Sequence, residues 1–318
     1  MSVVIATHNR PAALREAIKS VVAQTLTDWE VVVVGDCCEP DTPATIAEFG
    51  DPRIHYVDLP INFGEQSGPN NLGIAKSRGR YVSFLNHDDL WFPDHLASLC
   101  AWIEATGADL AFARAAVMEP RPAGELQYRT TILGGGRRGR YDPASTLAWA
   151  STILVRRSSA DLMGPWRAGS ELIAASSQDW LFRAWRKGLV LASMPHLTVL
   201  LIQSGSRQGS YLANQADEQA ALFRHMHADA DALRLLLLES ASEPKPSSTL
   251  RYWKRRFYAA CGIHPDARSF RRNFGPGDFI QKLRRIRGLE ASPIREPGVD
   301  DLRDRYRKKV CRTSVAKD

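Results

Sequence analysis

Two aspartates follow directly on a mostly apolar run: Tyr81-Val82-Ser83-Phe84-Leu85 leads through Asn86-His87 into Asp88-Asp89. The run is β-prone without polar alternation, the pattern of a strand covered on both faces, so the carboxylates emerge at its carboxyl end. In an open parallel sheet that edge is where ligands bind. Hard divalent cations take carboxylate oxygens and share their other positions with substrate phosphates. The pair is therefore a seat for a metal that grips a nucleoside diphosphate. Aspartates after a strand also cap the helix that follows, and the pair by itself leaves both roles open. Asp36 ends a second apolar run, Val31-Val32-Val33-Val34-Gly35. From there its carboxylate can accept from a base imide or a ribose hydroxyl, a charge-assisted bond of the stronger kind. A turn-forming Asp ahead of Pro40 is its structural alternative.

Alternating strands and helices must position these groups. Val3 to Ala6 is a short strand, and Pro11 opens a helix with Leu14, Ile18, Val21 and Val22 on one face. Val31 to Val34 is a buried strand. Asp41 or Thr42 starts a helix with Pro43 in its first turn, and Arg53 to Leu59 forms a third strand. Asn70 to Lys76 is helical ahead of the Tyr81 strand, and Pro93 to Thr106 packs Leu96, Leu99, Trp102 and Ile103. Such a series predicts an α/β fold with a doubly wound, mostly parallel sheet. Asn9, Asp36 and Asp88 then lie at strand carboxyl ends and converge on one crevice.

Asn62-Phe63-Gly64, Asn71-Leu72-Gly73-Ile74 and Gly79-Arg80-Tyr81 through Asp88-Asp89-Leu90-Trp91-Phe92-Pro93 together resemble the family 2 glycosyltransferases with the GT-A fold. The resemblance runs from about residue 2 to 210 and is densest from 62 to 95. One departure from the family pattern matters here: Asn86 stands where the first carboxylate of an Asp-x-Asp signature belongs, with His87 in the middle. The resemblance implies that Asp88 holds Mg²⁺ or Mn²⁺ on the donor diphosphate. It places Thr7, Asn9, Arg10, Asp36, Asn71 and His87 around the donor nucleotide, most simply a UDP-sugar, and Arg207 on its phosphates. The family's catalytic base falls on Asp179 in Ser176-Ser177-Gln178-Asp179, where Gln178 replaces a glutamate. A helix start there favours the ionised carboxylate. The spacing Ser176 to Asp179 is equally that of a capping box. The implied reaction is an inverting transfer to a hydroxyl of a glycan or lipid-linked acceptor.

The 318 residues and an apolar fraction of 44% allow one α/β domain with a sizeable core and an appendage. The expected division is a GT-A domain over 1–238, a Pro/Ser-rich linker over 239–250 and a basic helical extension over 251–318. The net charge of +7 belongs to that extension, which carries 19 Lys and Arg against 8 Asp and Glu. Trp253, Phe257, Phe279, Leu283 and Ile286 interleave with its cations at helical spacing, as in segments that lie on anionic membranes. No nucleic-acid partner is expected. No run of 18 apolar residues occurs and the start runs straight into a strand, so the expected location is cytoplasmic, at the inner membrane face. Five cysteines without framework or ligand spacing are expected as free thiols. The Gly134-Gly135-Gly136-Arg137 stretch reads as either a mobile lid or a solvated loop. The rival functions are a non-catalytic sugar-nucleotide or glycan binder and, more remotely, a nucleotidyltransferase. The latter lacks its glycines after the first strand. No Gly-x-Gly-x-x-Gly supports a dinucleotide enzyme.

Overall fold

The computed structural model describes residues 1–120, 128–212, 214–241 and 248–290. Its first half is β1 (Ser2–Thr7), α1 (Pro11–Val22), β2 (Glu30–Gly35), α2 (Asp41–Ala47), β3 (Ile54–Asp58), α3 (Ser67–Lys76) and β4 (Tyr81–Asn86). These four strands run parallel in the order β3-β2-β1-β4. Alternate residues of the strands serve opposite faces. Val3, Ile5, Val31 and Val33 pack with Leu14, Ile18 and Val21 of α1. Val32 and Val34 face Leu72 of α3, and Val4 joins Val82 and Phe84 on the same side. Helices on both faces are why these strands read as continuous apolar runs.

The second half is β5 (Leu90–Trp91), α4 (His95–Thr106), β6 (Leu110–Pro120), β7 (Tyr128–Leu133), β8 (Ile153–Arg156), α5 (Arg157–Met163), α6 (Ser176–Arg186) and β9 (Leu191–Ile202). Here the sheet is mixed. β8 inserts antiparallel between β4 and β6, while β9 runs parallel to β6, and β7 pairs antiparallel with β6. Trp166 and Trp180 stack at 4.8 Å and meet Phe84 edge-on, closing the core under α6. The Gly134–Arg140 loop is pinned by a bridge from Arg140 to Ala192 of β9.

After β9 come α7 (Asp217–Ala228), α8 (Ala230–Ser240), α9 (Thr249–Ala260), α10 (Ala267–Asn273) and α11 (Asp278–Arg287). Half of the expected linker, 242–247, and the tail beyond 290 lie outside the described residues. What is described of the basic extension packs on the core. Tyr252 Oη donates to Asp142 at 2.8 Å, Arg255 Nε donates to the Ala144 carbonyl at 2.7 Å, and buried His264 meets Phe182 edge-on. Among the described residues no helix is long and apolar enough to cross a membrane. Cys37, Cys38, Cys100 and Cys261 are free thiols.

Candidate active site

β1, β2 and β4 end side by side, and the residues that follow them open into one cavity of about 280 Å³. Thr7, His8, Asp36, Glu65, Asp88 and Tyr211 are among its lining. At its floor, Asp88 Oδ2 accepts from Ser204 Oγ at 3.1 Å and lies 3.6 Å from Arg10 Nη1. Arg10 also donates to Ser204 Oγ at 2.9 Å, so the loop after β9 ties cation and carboxylate together. Asp89 points the other way. It accepts from Asn86 Nδ2, Ser151 Oγ and the Ile202 amide, joining the ends of β4 and β9. Burial and the neighbouring Asp88 push its carboxyl up to about 8. Neither aspartate caps α4, whose N-cap is Asp94.

His87 is buried beneath Tyr211, whose Oη lies 3.2 Å from its Nε2. Burial holds the imidazole down at about 4. Asp88 pulls in the opposite direction, and the Arg10 and Arg287 charges reinforce the depression. Near neutrality His87 is therefore an uncharged group behind the Asp88 corner.

The other predicted residues divide by what they touch. Thr7 lines the cavity, and its buried hydroxyl has no hydrogen-bond partner among the described residues. Asp36 also lines it, with its two carboxylate oxygens accepting the Phe63 and Gly64 amides at 2.6 and 2.8 Å. Asn9, at φ 46°, accepts the Glu39 amide and so shapes the turn after β2. Asn71 spends both ends of its amide on the Trp166 backbone and is not part of the lining. Arg207 pairs with Glu218 of α7, also outside the lining. Asp179 is 1% exposed, held by Arg167 at 3.1 Å and by Arg183 at 2.9 Å. Its neighbours Ala175, Ser176 and Ser177 reach the cavity, and no side chain caps the start of α6. Gln178 donates to the Ala148 carbonyl.

Several lining residues had no signal in the motifs. Glu65 accepts the Gly169 amide at 2.7 Å, 104 residues away. Tyr211 lies between two guanidiniums, Arg10 at 5.2 Å and Arg287 at 5.1 Å from its ring centre. Ile280, Leu283, Arg284 and Arg287 of α11 form a wall of the same cavity. Only their basic and apolar alternation marked them, and that pattern pointed to a membrane. No group of three or more His, Cys, Asp or Glu converges among the described residues. Asp88, the cavity-facing carboxylate after β4, is the residue that would hold a cation, shared with a bound diphosphate and water as Mg²⁺ typically is.

A mixed sheet covered by helices, with its cavity at the carboxyl ends of the parallel strands, is the GT-A class of glycosyltransferase fold. Solved structures agree on the fold. S. aureus TarS 1-349, in complex with UDP, superposes with a TM-score of 0.55 at 16% identity, covering 98% of this chain and 88% of that one. A mannosyltransferase from Pyrobaculum calidifontis, in complex with GDP-Man and Mn²⁺, gives 0.50 at 13% identity, covering 100% and 75%. The family described as Glycosyl transferase family 2 matches residues 2–161, and the chain belongs to that family. The succinoglycan biosynthesis protein ExoO of Rhizobium meliloti (strain 1021) is 39% identical over 108 residues, 34% of this chain and 31% of that protein. The UDP-Glc:alpha-D-GlcNAc-diphosphoundecaprenol beta-1,3-glucosyltransferase WfgD of Escherichia coli is 29% identical over 96 residues, 30% of this chain and 38% of that one. The chain thus spans about a third of the length of these relatives.

Proposed function

We propose that this protein transfers a sugar, with inversion, from a nucleoside diphosphate donor of the UDP type to a hydroxyl of a glycan or lipid-linked acceptor in polysaccharide synthesis. The observation that carries this reading is Asp88, which faces the cavity at the end of β4 beside Asp36 and the unpartnered Thr7 hydroxyl. Thr7 and Asp36 take the nucleoside, with Asp36 also holding the 63–64 backbone in place. In this reading Asp88, paired with Arg10, serves the diphosphate, and neutral His87 backs them without adding charge. Asn9 and Asn71 act through the backbone that they hold, and Arg207 through Glu218. Mg²⁺ or Mn²⁺ bound at Asp88 would neutralise charge on the leaving diphosphate.

In the reaction, the acceptor oxygen forms a bond to the anomeric carbon while the bond from that carbon to the diphosphate oxygen breaks. The electron pair leaves with the diphosphate. The acceptor proton passes to Asp179, which becomes available when Arg167, itself 39% exposed, releases Oδ1. The double ion pair on Asp179 also favours a second reading, a sugar-nucleotide-binding relative without turnover.

Thermal unfolding with UDP- and GDP-sugars, with and without Mn²⁺, tests the donor reading, because a ligand of the folded state raises its apparent stability. Stabilisation by one nucleotide series, enlarged by Mn²⁺, is expected. A melting temperature indifferent to every sugar nucleotide would sink it. Release of free nucleoside diphosphate on adding acceptor separates transfer from mere binding.

A further inference from the structure

Helix α11 is fastened to the crevice by its backbone as well as its side chains. The Gly209 amide donates to the Ile286 carbonyl at 2.7 Å, and the Tyr211 amide donates to the Arg287 carbonyl at 3.0 Å. At its other end, Ile280 lies against Gly169, where an added Cβ would come within 2.4 Å of the isoleucine side chain. Between these anchors Arg284, 5% exposed, and Arg287 enter the cavity lining.

Arg287 faces the Asp88 corner. A Cβ built on Gly205 would sit 3.3 Å from Asp88 Oδ2 and 3.6 Å from Arg287 Nε and Nη2, so the two side chains flank that glycine. Among the described residues, the partners of the Arg287 guanidinium are the Gly205 carbonyl and the Tyr211 ring, and neither carries a charge. Arg10 lies against the same ring. Arg284 and Arg287 line the cavity together with Asp36, Glu65 and Asp88, and Arg10, outside the lining, pairs with Asp88. A planar guanidinium suits a phosphate oxygen pair.

We propose that α11 completes the donor site: Arg287, with Arg284 beside it, clamps the diphosphate, and the helix docks as a lid whose closed position is stabilised by that anion. This rests on the reading of the cavity as a nucleoside diphosphate site. It makes the basic extension part of the ligand-binding machinery, since the wall at 280–287 comes from the segment that its interleaved cations and apolar residues assigned to a membrane. Entry and exit of the donor then require α11 to lift from Gly169 and the 209–211 loop.

Calorimetry on the full chain, with inorganic pyrophosphate, UDP and uridine as probes in a chelator, tests the clamp. Arg287→Gln should weaken pyrophosphate and UDP by at least ~10-fold, the worth of a hydrogen bond to a charged group, and leave uridine unchanged. Arg287→Lys should recover part of the loss. Gly169→Val, which forces Ile280 away without adding or removing a charge, should weaken UDP and speed tryptic cleavage at Lys282 to Arg287. UDP should slow that cleavage in the wild type, and uridine should not. If Arg287→Gln binds UDP and pyrophosphate as tightly as the wild type, the clamp is wrong and the donor reading stands. If pyrophosphate binding depends on Arg287 but UDP binds no better than pyrophosphate, the clamp stands and the sugar-nucleotide reading is lost. A wild type that binds none of the three probes overturns both.

Discussion

Asp88 and Asn86 stand two residues apart on the same strand end and do different work. Asp88 Oδ2 meets Ser204 and Arg10 at the cavity, whereas the Asn86 amide donates to buried Asp89. Asp88→Ala should abolish the Mn²⁺-dependent part of nucleotide affinity in calorimetry. Asn86→Ala should keep it and lower stability by about 1–3 kcal/mol, because a buried acceptor loses its donor. Asp179 invites a paired measurement. Asp179→Asn removes a charge buried between Arg167 and Arg183, so urea unfolding should show a loss of about 3 kcal/mol. Turnover at saturating donor, under conditions where the variant is folded, should fall by at least ~100-fold because the amide cannot take a proton. Near-normal turnover would leave Asp179 as a structural anchor of α6.

The turn between β2 and α2 shows what an element tolerates to place one side chain. Cys37, directly after Asp36, adopts φ 59°, a left-handed conformation that an L side chain adopts only at a cost. Cys37→Gly should therefore raise stability by about 1 kcal/mol in urea melts and leave nucleotide binding unchanged, since the exposed thiol touches nothing in the cavity. A destabilised variant would mean that the strain is offset by contacts of the thiol.

Acid should weaken the whole molecule in a definite window. Burial holds His95 down at about 3, stacked on Trp91, and His87 at about 4, both from 6.5. The unfolded chain takes up these protons below pH 6.5 and the folded one does not. Stability is thus complete above that pH and is lost as pH falls towards 4, by about 1.4 kcal/mol per unit for each histidine. Urea midpoints at pH 7, 6 and 5 should show this slope, and His95→Gln should make it shallower whatever its absolute stability. An unchanged slope would place the proton uptake elsewhere. At the outer surface, α9 leaves Leu250, Trp253 and Phe257 exposed among Arg251, Lys254 and Arg256. We propose that this face rests on an anionic membrane. Trp253→Glu with Phe257→Glu should abolish low-salt co-sedimentation with anionic vesicles and spare UDP binding. A wild-type chain left in the supernatant at low salt would exclude the contact. Removing everything after 245 is a poorer test, because α11 lines the donor cavity.

The sequence by itself determined the local, periodic part of this protein. The valine runs, the helix faces and the aspartates after β2 and β4 follow from residue order, because strand burial and helical spacing repeat over short distances. The motif from 62 to 95 carried the family for the same reason, being one contiguous strand-end unit. Arg183 on Asp179 was also within reach at helical spacing. Tertiary structure alone decided which polar groups meet across long separations: Asn71 on Trp166, Glu65 on Gly169, Ser204 between Arg10 and Asp88. It also decided the direction of β8, and it turned α11 inward onto the crevice. An amphipathic helix with cations has the same pattern whether its apolar face meets lipid or protein. The choice depends on a complementary surface, here Gly169 and the Tyr211 loop, that no window of sequence contains.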